Sequence, residues 1–399
     1  MRALFVSNLR PLRSAGGVRR LLPAGLLVGL LALLSACTTV GMRETAAPVI
    51  PELRLPLDEP YSLSTHRLEI ESPESDLVGE LRVTRVGHED TFTDLARRFN
   101  VGYEELVRAN PGIDPWLPGE GREVVLPTRH LLPNAPREGI VINLAAMRLY
   151  YFPRAARGET QVVYTFPIGI GRVGWATPIG STSVTRMTRD PTWRPGPGVR
   201  REHAENGEIL PAVVRPGPNN PLGSRALYLG WPSYLIHGTN KPAGVGLRSS
   251  HGCIRMFPED VEFLYELVRP GIKVTVVNQP FVFGWHDGQL LMQAFNVLED
   301  DPRDWQRAQR KLLSRSLAAR IQKELKARGE IIDWDAVSRF AHAPRGLPVS
   351  VSRHESSRES SHESSHESTY EALIASAPRV RNALPIGATW AGETEPSSP

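Results

Sequence analysis

Cysteine is scarce in this chain of 399 residues, which contains two, Cys37 and Cys253. A disulfide framework is therefore excluded as the main source of stability, because such frameworks need several cysteine pairs. An excess of charge of one sign is lacking too: 47 Lys and Arg against 43 Asp and Glu leave a formal net charge of +4. The sequence has no basic stripe with interleaved aromatic residues, so nucleic-acid binding is not indicated.

Long hydrophobic runs are also missing, and the main apolar run lies near the N-terminus. It covers residues 21–34, which is shorter than the roughly 20 residues of a membrane-spanning helix. It follows five arginines and ends in Leu34-Ser35-Ala36-Cys37, an order typical of an export signal. These last residues resemble the bacterial lipobox, in which the cysteine becomes the lipidated first residue of the mature protein. The alternative is a buried helix with a chance cysteine.

The lipobox resemblance predicts the localisation of the protein. A signal peptide would cover residues 1–36, and a lipid on Cys37 would anchor the protein in the periplasm, at the inner leaflet of the outer membrane. Residues 37–81 are rich in Pro, Glu and Ser and predict a lipidated tether. Cys253 would then be the one thiol left in an oxidising compartment. Because a lone thiol there is liable to oxidation, its presence suggests a chemical role.

Residues 82–127 form the first predicted folded unit. Their pattern gives a strand, two helices and a second strand, with a capping Thr91 at the start of the first helix. This βααβ order, with Asn110-Pro111-Gly112 after the second helix, resembles a LysM module. Such modules bind the N-acetylglucosamine-containing glycan of peptidoglycan. The alternative is a small spacer domain that binds nothing, because a fold alone does not establish a site.

A mostly β domain with one helix is predicted over residues 139–278. Segments of strand length, bounded by Gly and Pro, lie at residues 140–144, 148–152, 161–167, 181–187, 227–229, 234–236 and 274–277. The helix begins at Pro258, since proline is favoured in a first helical turn. Val261, Leu264 and Val268 form its apolar face.

Two segments follow this domain. Residues 281–351 contain apolar residues at roughly helical spacing in a charged background, which predicts a helical appendage packed on the β domain. Residues 352–399 contain repeated His-Glu-Ser-Ser and Arg-Glu-Ser-Ser, as at His362-Glu363-Ser364-Ser365. This composition buries too little apolar surface to fold, so it predicts a disordered tail.

The residues with the strongest chemical signal lie in residues 236–256, IHGTNKPAGVGLRSSHGCIRM. This stretch contains His237, His251 and Cys253 around a glycine-rich turn. A thiol is only a minor fraction thiolate at neutral pH, and a nearby imidazole can accept its proton. With a histidine of ordinary pKa as the base, activity is expected to be lost below about pH 5. A zinc site is the alternative, but a fourth ligand at a familiar spacing is missing, so no metal is predicted.

This stretch resembles the catalytic motif of the L,D-transpeptidase (YkuD-type) family, which is His-Gly-Thr, a spacer, then Ser-His-Gly-Cys with a nearby Arg. The match here is His237-Gly238-Thr239 and Ser250-His251-Gly252-Cys253-Ile254-Arg255. The resemblance continues through residues 166–180 upstream and 258–277 downstream, so it covers the whole β domain. It implies a YkuD-like β-sandwich with one helix. The lipobox and the LysM-like unit are similar to the Gram-negative subgroup that cross-links peptidoglycan or attaches an outer-membrane lipoprotein to it.

The resemblance also implies a reaction without a cofactor. Cys253 would attack the carbonyl of meso-diaminopimelate in a tetrapeptide stem and release D-alanine, with His237 as the general base, oriented by the Gly238 carbonyl. An amine from a second stem, or from the C-terminal lysine of a lipoprotein, would then resolve the thioester.

Supporting roles are implied for the remaining motif residues. His251 and Ser250 would support the thiolate and the hydrogen bonds of the site, and the Gly252 and Cys253 amides would form the oxyanion hole. Arg255 would bind a substrate carboxylate, with an ion pair in solvent as the alternative, and Thr239 would also lie on the substrate side.

Two further functional readings stay open. Water could resolve the thioester, which would give an L,D-carboxypeptidase or a cross-link hydrolase with the same cysteine. A non-enzymatic lipoprotein that binds the wall through the LysM-like unit is the other reading, and the intact Cys253, His237 and His251 argue against it.

Overall fold

The structure, a computed structural model, describes residues 67–155, 158–305, 315–357 and 366–382. The predicted signal peptide and the predicted lipidation site Cys37 lie outside these residues. Within the described part, no helix is long and apolar enough to span a membrane.

The described part contains strands and helices in the following order. The strands are β1 (Arg67–Glu69), β2 (Leu77–Gly79), β3 (Arg82–Arg85), β4 (Glu123–Leu126), β5 (Arg129–Leu131), β6 (Gly139–Asn143), β7 (Arg148–Phe152), β8 (Val162–Pro167), β9 (Ile170–Gly171), β10 (Gly180–Arg189), β11 (Arg225–Leu229), β12 (Leu235–His237), β13 (Arg248–Ser250), β14 (Ile254–Arg255), β15 (Lys273–Val277), β16 (Phe281–His286), β17 (Gln289–Ala294), β18 (Glu330–Ile332), β19 (Val349–Ser350), β20 (Ser352–His354) and β21 (Arg379–Val380). The helices are α1 (Phe92–Arg98), α2 (Tyr103–Ala109), α3 (Pro197–Glu205), α4 (Pro258–Leu267), α5 (Arg315–Arg328), α6 (Trp334–His342) and α7 (His366–Ala375).

The domain that carries the motif is built on a nine-stranded sheet, in the order β1-β8-β7-β6-β15-β10-β11-β12-β14. Most neighbours are antiparallel, but β15 pairs with β6 and β12 with β14 in parallel. Val261 and Leu264 of α4 are buried in the core of this sheet, together with Val268 just after the helix. The predicted mostly β character and the helix from Pro258 are confirmed.

The prediction of one helix in this domain is wrong, because α3 lies in the long connection between β10 and β11. None of its residues is buried, so it lacks the apolar face by which a helix is recognised in a sequence. It begins with Pro197 after Gly196, in a stretch rich in Pro and Gly that indicates a loop.

The prediction of a tether up to residue 81 is wrong for the part from Arg67 onward. From Arg67 onward the chain belongs to the folded body, because β1 pairs with β8 and β2 pairs with β5. Ile70 and Val78 are buried in an apolar cluster with Tyr150. These short apolar pairs are outweighed by Pro, Glu and Ser when the composition is averaged over the segment.

The LysM-like module has the predicted element order, β3-α1-α2-β4. Thr91 caps α1 and forms a capping box with Asp94. Phe92, Leu95 and Leu106 of the two helices are buried in the core of the module. The described elements follow the predicted strand–helix–helix–strand order, while the resemblance to a LysM module and glycan binding stay predictions.

The segment 281–351 is not purely helical, which corrects the predicted helical appendage. It contains α5 and α6, but β16 and β17 form a hairpin that β19 extends to three strands. Phe283 and Met292 of the hairpin face Ile321 and Leu325 of α5 in one core. The strands are buried on nearly all positions, so they lack the alternation that distinguishes a strand from a helix.

The prediction of a disordered tail from residue 352 is wrong for the part that the structure describes. β20 pairs with β18, α7 packs in the core of the appendage, and β21 pairs in parallel with β3 of the LysM-like module. Tyr370 of α7 is fully buried, and its ring lies 5.4 Å from that of Phe340. The apolar residues of α7 follow the polar repeats, so composition averaged over the tail conceals them.

Candidate active site

The two halves of the motif meet on neighbouring strands. β12 ends at His237, and β14 begins directly after Cys253. These strands pair in parallel, with Ile236 opposite Ile254 and His237 opposite Arg255. Ile236 and Ile254 are buried, so the apolar side chains of both strands fix the register, which places His237 on the strand next to the one that follows Cys253.

His237 is held in one tautomer. Its Nδ1 lies 2.6 Å from the carbonyl oxygen of Gly238, which can only accept, so Nδ1 carries the hydrogen and Nε2 does not. Burial, with a smaller effect of the Arg255 charge, lowers the pKa of His237 to about 4. The imidazole is therefore neutral at pH 7 and has a free lone pair to accept a proton.

Cys253 is half-buried and its thiol donates to the carbonyl oxygen of Ser233 over 3.4 Å. Burial raises the pKa of the thiol, and the backbone of Leu235 and the charge of Arg255 offset this only in part. Together with the lowered pKa of His237, this favours a neutral thiol and a neutral imidazole at rest. A thiol in this state would lose its proton as the sulfur attacks, rather than before.

The turn that carries Cys253 is fixed by hydrogen bonds. Ser250 Oγ donates to the Cys253 carbonyl at 2.6 Å and accepts from the Gly252 amide at 3.2 Å. Thr177 Oγ1 donates to the Gly252 carbonyl at 2.9 Å. Gly252 has φ +98° and an added Cβ would lie 2.9 Å from the Tyr234 ring, so glycine is required there.

One predicted oxyanion donor is occupied in this arrangement. The Gly252 amide donates to Ser250 Oγ and is not available to an oxyanion. Of the two predicted donors, this leaves the Cys253 amide, which Ser250 does not occupy.

His251 faces a group that the motif does not contain. Its Nε2 lies 3.0 Å from Arg172 Nη2 and 3.3 Å from Glu202 Oε2, and its ring contacts Trp175 edge to face at 4.9 Å. Arg172 and Glu202 also pair with each other. Burial and Arg172 lower the pKa of His251, while Glu202 opposes them. His251 is thus neutral at pH 7 and accepts from Arg172.

Arg172, Glu202 and Thr177 were missed by the sequence analysis. Glu202 lies on the unpredicted helix α3, and Arg172 and Thr177 lie in the connection between β9 and β10. None of them stands at a recognisable spacing from Cys253. For Glu202, the available signal was the long loop rich in Pro and Gly, because such loops often carry functional residues; Arg172 and Thr177 lie within residues 166–180, which the family resemblance already covered.

The two predicted substrate-binding residues differ in their surroundings. Arg255 is half-buried, donates to Ser249 Oγ at 3.0 Å, and has a buried Nε without a partner in the described part of the chain. Thr239 is buried, and its Oγ1 accepts from the Lys241 amide at 2.9 Å. Thr239 therefore shapes the turn after His237, while Arg255 keeps unused donor capacity near the thiol.

The described residues were also considered as possible metal ligands. Among them, no group of three or more His, Cys, Asp or Glu could hold a metal ion.

Comparison with known proteins gives the same region of the chain. Residues 137–276 match the family model of the L,D-transpeptidase catalytic domain, YkuD. The chain is 37% identical to the probable L,D-transpeptidase YcfS of Escherichia coli, over 71% of this chain and 87% of that protein. It is 44% identical to the probable L,D-transpeptidase YbiS of Escherichia coli, over 52% of this chain and 67% of that protein. A solved L,D-transpeptidase from Mycobacterium smegmatis is 17% identical, with a TM-score of 0.27, over 39% of this chain and 63% of that one.

Proposed function

The chain belongs to the L,D-transpeptidase family, and from this we propose that it transfers peptidoglycan stem peptides through a thioester on Cys253. The observation that carries the proposal is the tautomer of His237. Its Nδ1–H donates to Gly238, so Nε2 is free on the strand next to Cys253. A buried base with a free lone pair beside a thiol is the arrangement that cysteine acyl transfer needs.

The first step forms the acyl-enzyme. His237 Nε2 accepts the thiol proton while Cys253 Sγ bonds to the carbonyl carbon of meso-diaminopimelate in a tetrapeptide stem. The bond from that carbon to the D-alanine nitrogen then breaks, and the amine leaves with the proton from His237. The Cys253 amide donates to the oxyanion in between.

The second step releases the enzyme. An amine of the acceptor bonds to the thioester carbon, the C–S bond breaks, and the sulfur recovers the proton that the amine gives up through His237. The acceptor is the side-chain amine of a second stem, which gives a cross-link, or the C-terminal lysine of an outer-membrane lipoprotein. Water in its place would give the carboxypeptidase or hydrolase reaction.

Arg255 is proposed to bind a carboxylate of the stem peptide. Its guanidinium lies near the thiol, and burial lowers its pKa although the thiol opposes this. A buried guanidinium with spare N–H groups gains strongly from a carboxylate partner, because both charges are then compensated.

The LysM-like module is proposed to bind the glycan. The loop between α2 and β4 presents Trp116 and Leu117, which are 63% and 81% exposed, and the Tyr103 ring lies 6.2 Å from that of Trp116. An exposed apolar patch of this kind marks a binding surface. A Trp116→Ala variant is expected to sediment less with insoluble peptidoglycan stripped of its stem peptides. Ile209→Ala, which removes a 90% exposed apolar side chain outside the module, serves as the control.

The lipid anchor on Cys37 completes the proposal. It would hold the enzyme at the inner leaflet of the outer membrane in the periplasm, within reach of the peptidoglycan. Metabolic labelling with a fatty-acid analogue, compared between the native chain and Cys37→Ala, tests this part separately from catalysis.

The central test is a product analysis. The full chain, in mild detergent, is incubated with disaccharide-tetrapeptide beside a Cys253→Ala control, and the products are identified by mass spectrometry. A cross-linked dimer with loss of D-alanine, absent in the control, supports transpeptidation through Cys253. Tripeptide alone indicates hydrolysis or a missing lipoprotein acceptor. An unchanged substrate without an adduct on Cys253 favours the wall-binding reading.

A further inference from the structure

The LysM-like module contacts the segment that connects His237 to Cys253. The Glu104 amide, at the start of α2, donates to the carbonyl of Gly246 at 3.2 Å. Gly246 has φ +80°, and a Cβ added there would lie 2.2 Å from the Tyr103 nitrogen and 2.6 Å from the Gly102 Cα. The two backbones are therefore too close for any side chain at Gly246.

A buried ion pair fixes this contact. Glu105 of α2 accepts from Arg148 of β7 at 2.7 Å and 2.6 Å, and both side chains are almost completely buried. The same Glu105 carboxylate accepts from the Gly102 amide at 2.7 Å, and Arg148 also donates to Thr165 at 3.2 Å. A bidentate ion pair of this kind fixes the orientation of the two side chains and of the elements that carry them. Losing one partner leaves a buried charge uncompensated.

A second ion pair joins the module to the helix that follows the nucleophile. Arg97 of α1 donates to Glu259 at 3.0 Å and 3.2 Å. Glu259 lies in the first turn of α4, shortly after Cys253 in the chain. The module is thus attached to the catalytic domain on both sides of the motif.

The contact at Gly246 is linked to the nucleophile through the backbone. The Gly246 amide donates to Ile168, and Ile170 donates to Leu247, so the chain runs on into β13 beside β9. β13 ends at Ser250, whose hydroxyl donates to the Cys253 carbonyl at 2.6 Å. A shift of α2 would therefore be passed to the catalytic turn through a few rigid hydrogen bonds.

We propose that the LysM-like module positions the catalytic turn, in addition to any binding of glycan. Glu105 and Gly246 are positioning residues: they hold the start of α2 against the motif segment and thereby align Cys253 with His237. The inference rests on the proposed acyl transfer and adds that the module acts on the donor step even when the substrate has no glycan.

The test compares two glycine variants with the same backbone strain. Gly246→Ala pushes the module off the motif segment. Gly112→Ala lies in the same module at φ +79° with nothing within 4 Å of the added Cβ, so it carries the strain without the contact. The full chain in detergent is assayed for D-alanine release from a glycan-free tetrapeptide. We expect kcat of Gly246→Ala to fall by about 10- to 100-fold, with KM within about threefold and Gly112→Ala unchanged.

A milder variant guards against a folding defect. Arg97→Gln removes the partly buried ion pair to Glu259, and it is expected to lower kcat by about threefold while thermal unfolding shows a folded protein. Alkylation of Cys253 by iodoacetamide provides a readout that needs no substrate and is expected to slow in the order native, Arg97→Gln, Gly246→Ala. If the native protein releases no D-alanine, the proposed function fails, whereas the alkylation rates still test whether the module positions the catalytic turn. Equal rates for Gly246→Ala and Gly112→Ala in both assays would overturn the proposal that the module positions the catalytic turn.

Discussion

Acidification provides the sharpest test of the state of His237. Its Nε2, the proposed base, can accept a proton only while the imidazole is neutral, and burial with the Arg255 charge lowers the pKa of His237 to about 4. At pH 5 about nine-tenths of the imidazole is then neutral, against about 3% for a histidine of ordinary pKa. The structure therefore predicts about 30-fold more activity at pH 5 than an unperturbed histidine would allow, and an acid limb lower than the one expected from the sequence.

The assay is the pH dependence of kcat/KM for D-alanine release, because this constant reports the pKa of the essential base in the free enzyme. Measurements from pH 7.5 down to 4, with the fraction of folded protein followed by fluorescence, define the acid limb. The Arg255→Gln variant is the matched comparison. The acid limb of this variant is expected at a higher pH, since the Arg255 charge is the second cause of the lowered pKa of His237. The comparison uses the pH at which kcat/KM falls and not its absolute value, which the substitution itself can lower.

An acid limb near pH 6.5 in the native protein would refute this account of the base. It would mean that the imidazole is solvated, or that another group takes the proton. An unchanged limb in Arg255→Gln, with a native limb near 4, would assign the whole shift to burial.

Three other predictions concern stability and the His251 group. The pKa of His237 is higher in the unfolded than in the folded protein, so acidification from pH 6.5 to 4 is expected to remove about 3 kcal/mol of the free energy of unfolding. Denaturant titrations at both pH values should show a correspondingly smaller loss for His237→Gln. Glu202→Gln is expected to lower the pKa of His251 further, because the carboxylate opposes the effects of burial and Arg172, whereas Glu205→Gln on the same helix leaves the NMR titration unchanged. Thr177→Val removes two hydrogen bonds under the nucleophile turn, and we expect about 1–3 kcal/mol of destabilisation together with lower kcat; full activity would contradict a role for this hydroxyl.

The motif and the main sheet were predictable because their signals are local. Segments of strand length bounded by Gly and Pro indicate the strands, and the His237-Gly238 pair carries its own orienting carbonyl. The spacing of Ile321 and Leu325 likewise predicted a helix that packs in a core, as α5 does. In each of these cases, the residues that carry the signal lie within one short segment of the chain.

The parts that could not be predicted depend on contacts between distant segments. Glu105 and Arg148 each resemble an ordinary surface charge in the sequence, and only the fold brings them together in the interior. Glu202 reaches His251 from a helix without an apolar face. The hairpin of β16 and β17 is buried on both faces. Neither the spacing of its apolar residues nor the length of the segment therefore distinguished it from a helix in the sequence.

The strand β21 has a consequence for the solubility of the protein. In the described part of the chain, β3 has β4 on one side and β21 on the other, so the LysM-like sheet does not present the edge of β3 to solvent. An open edge offers unpaired N–H and C=O groups to the strands of other molecules and is a common start of aggregation. β21 therefore protects this edge of β3 from pairing with other molecules, and a protein shortened at residue 365 would expose the edge.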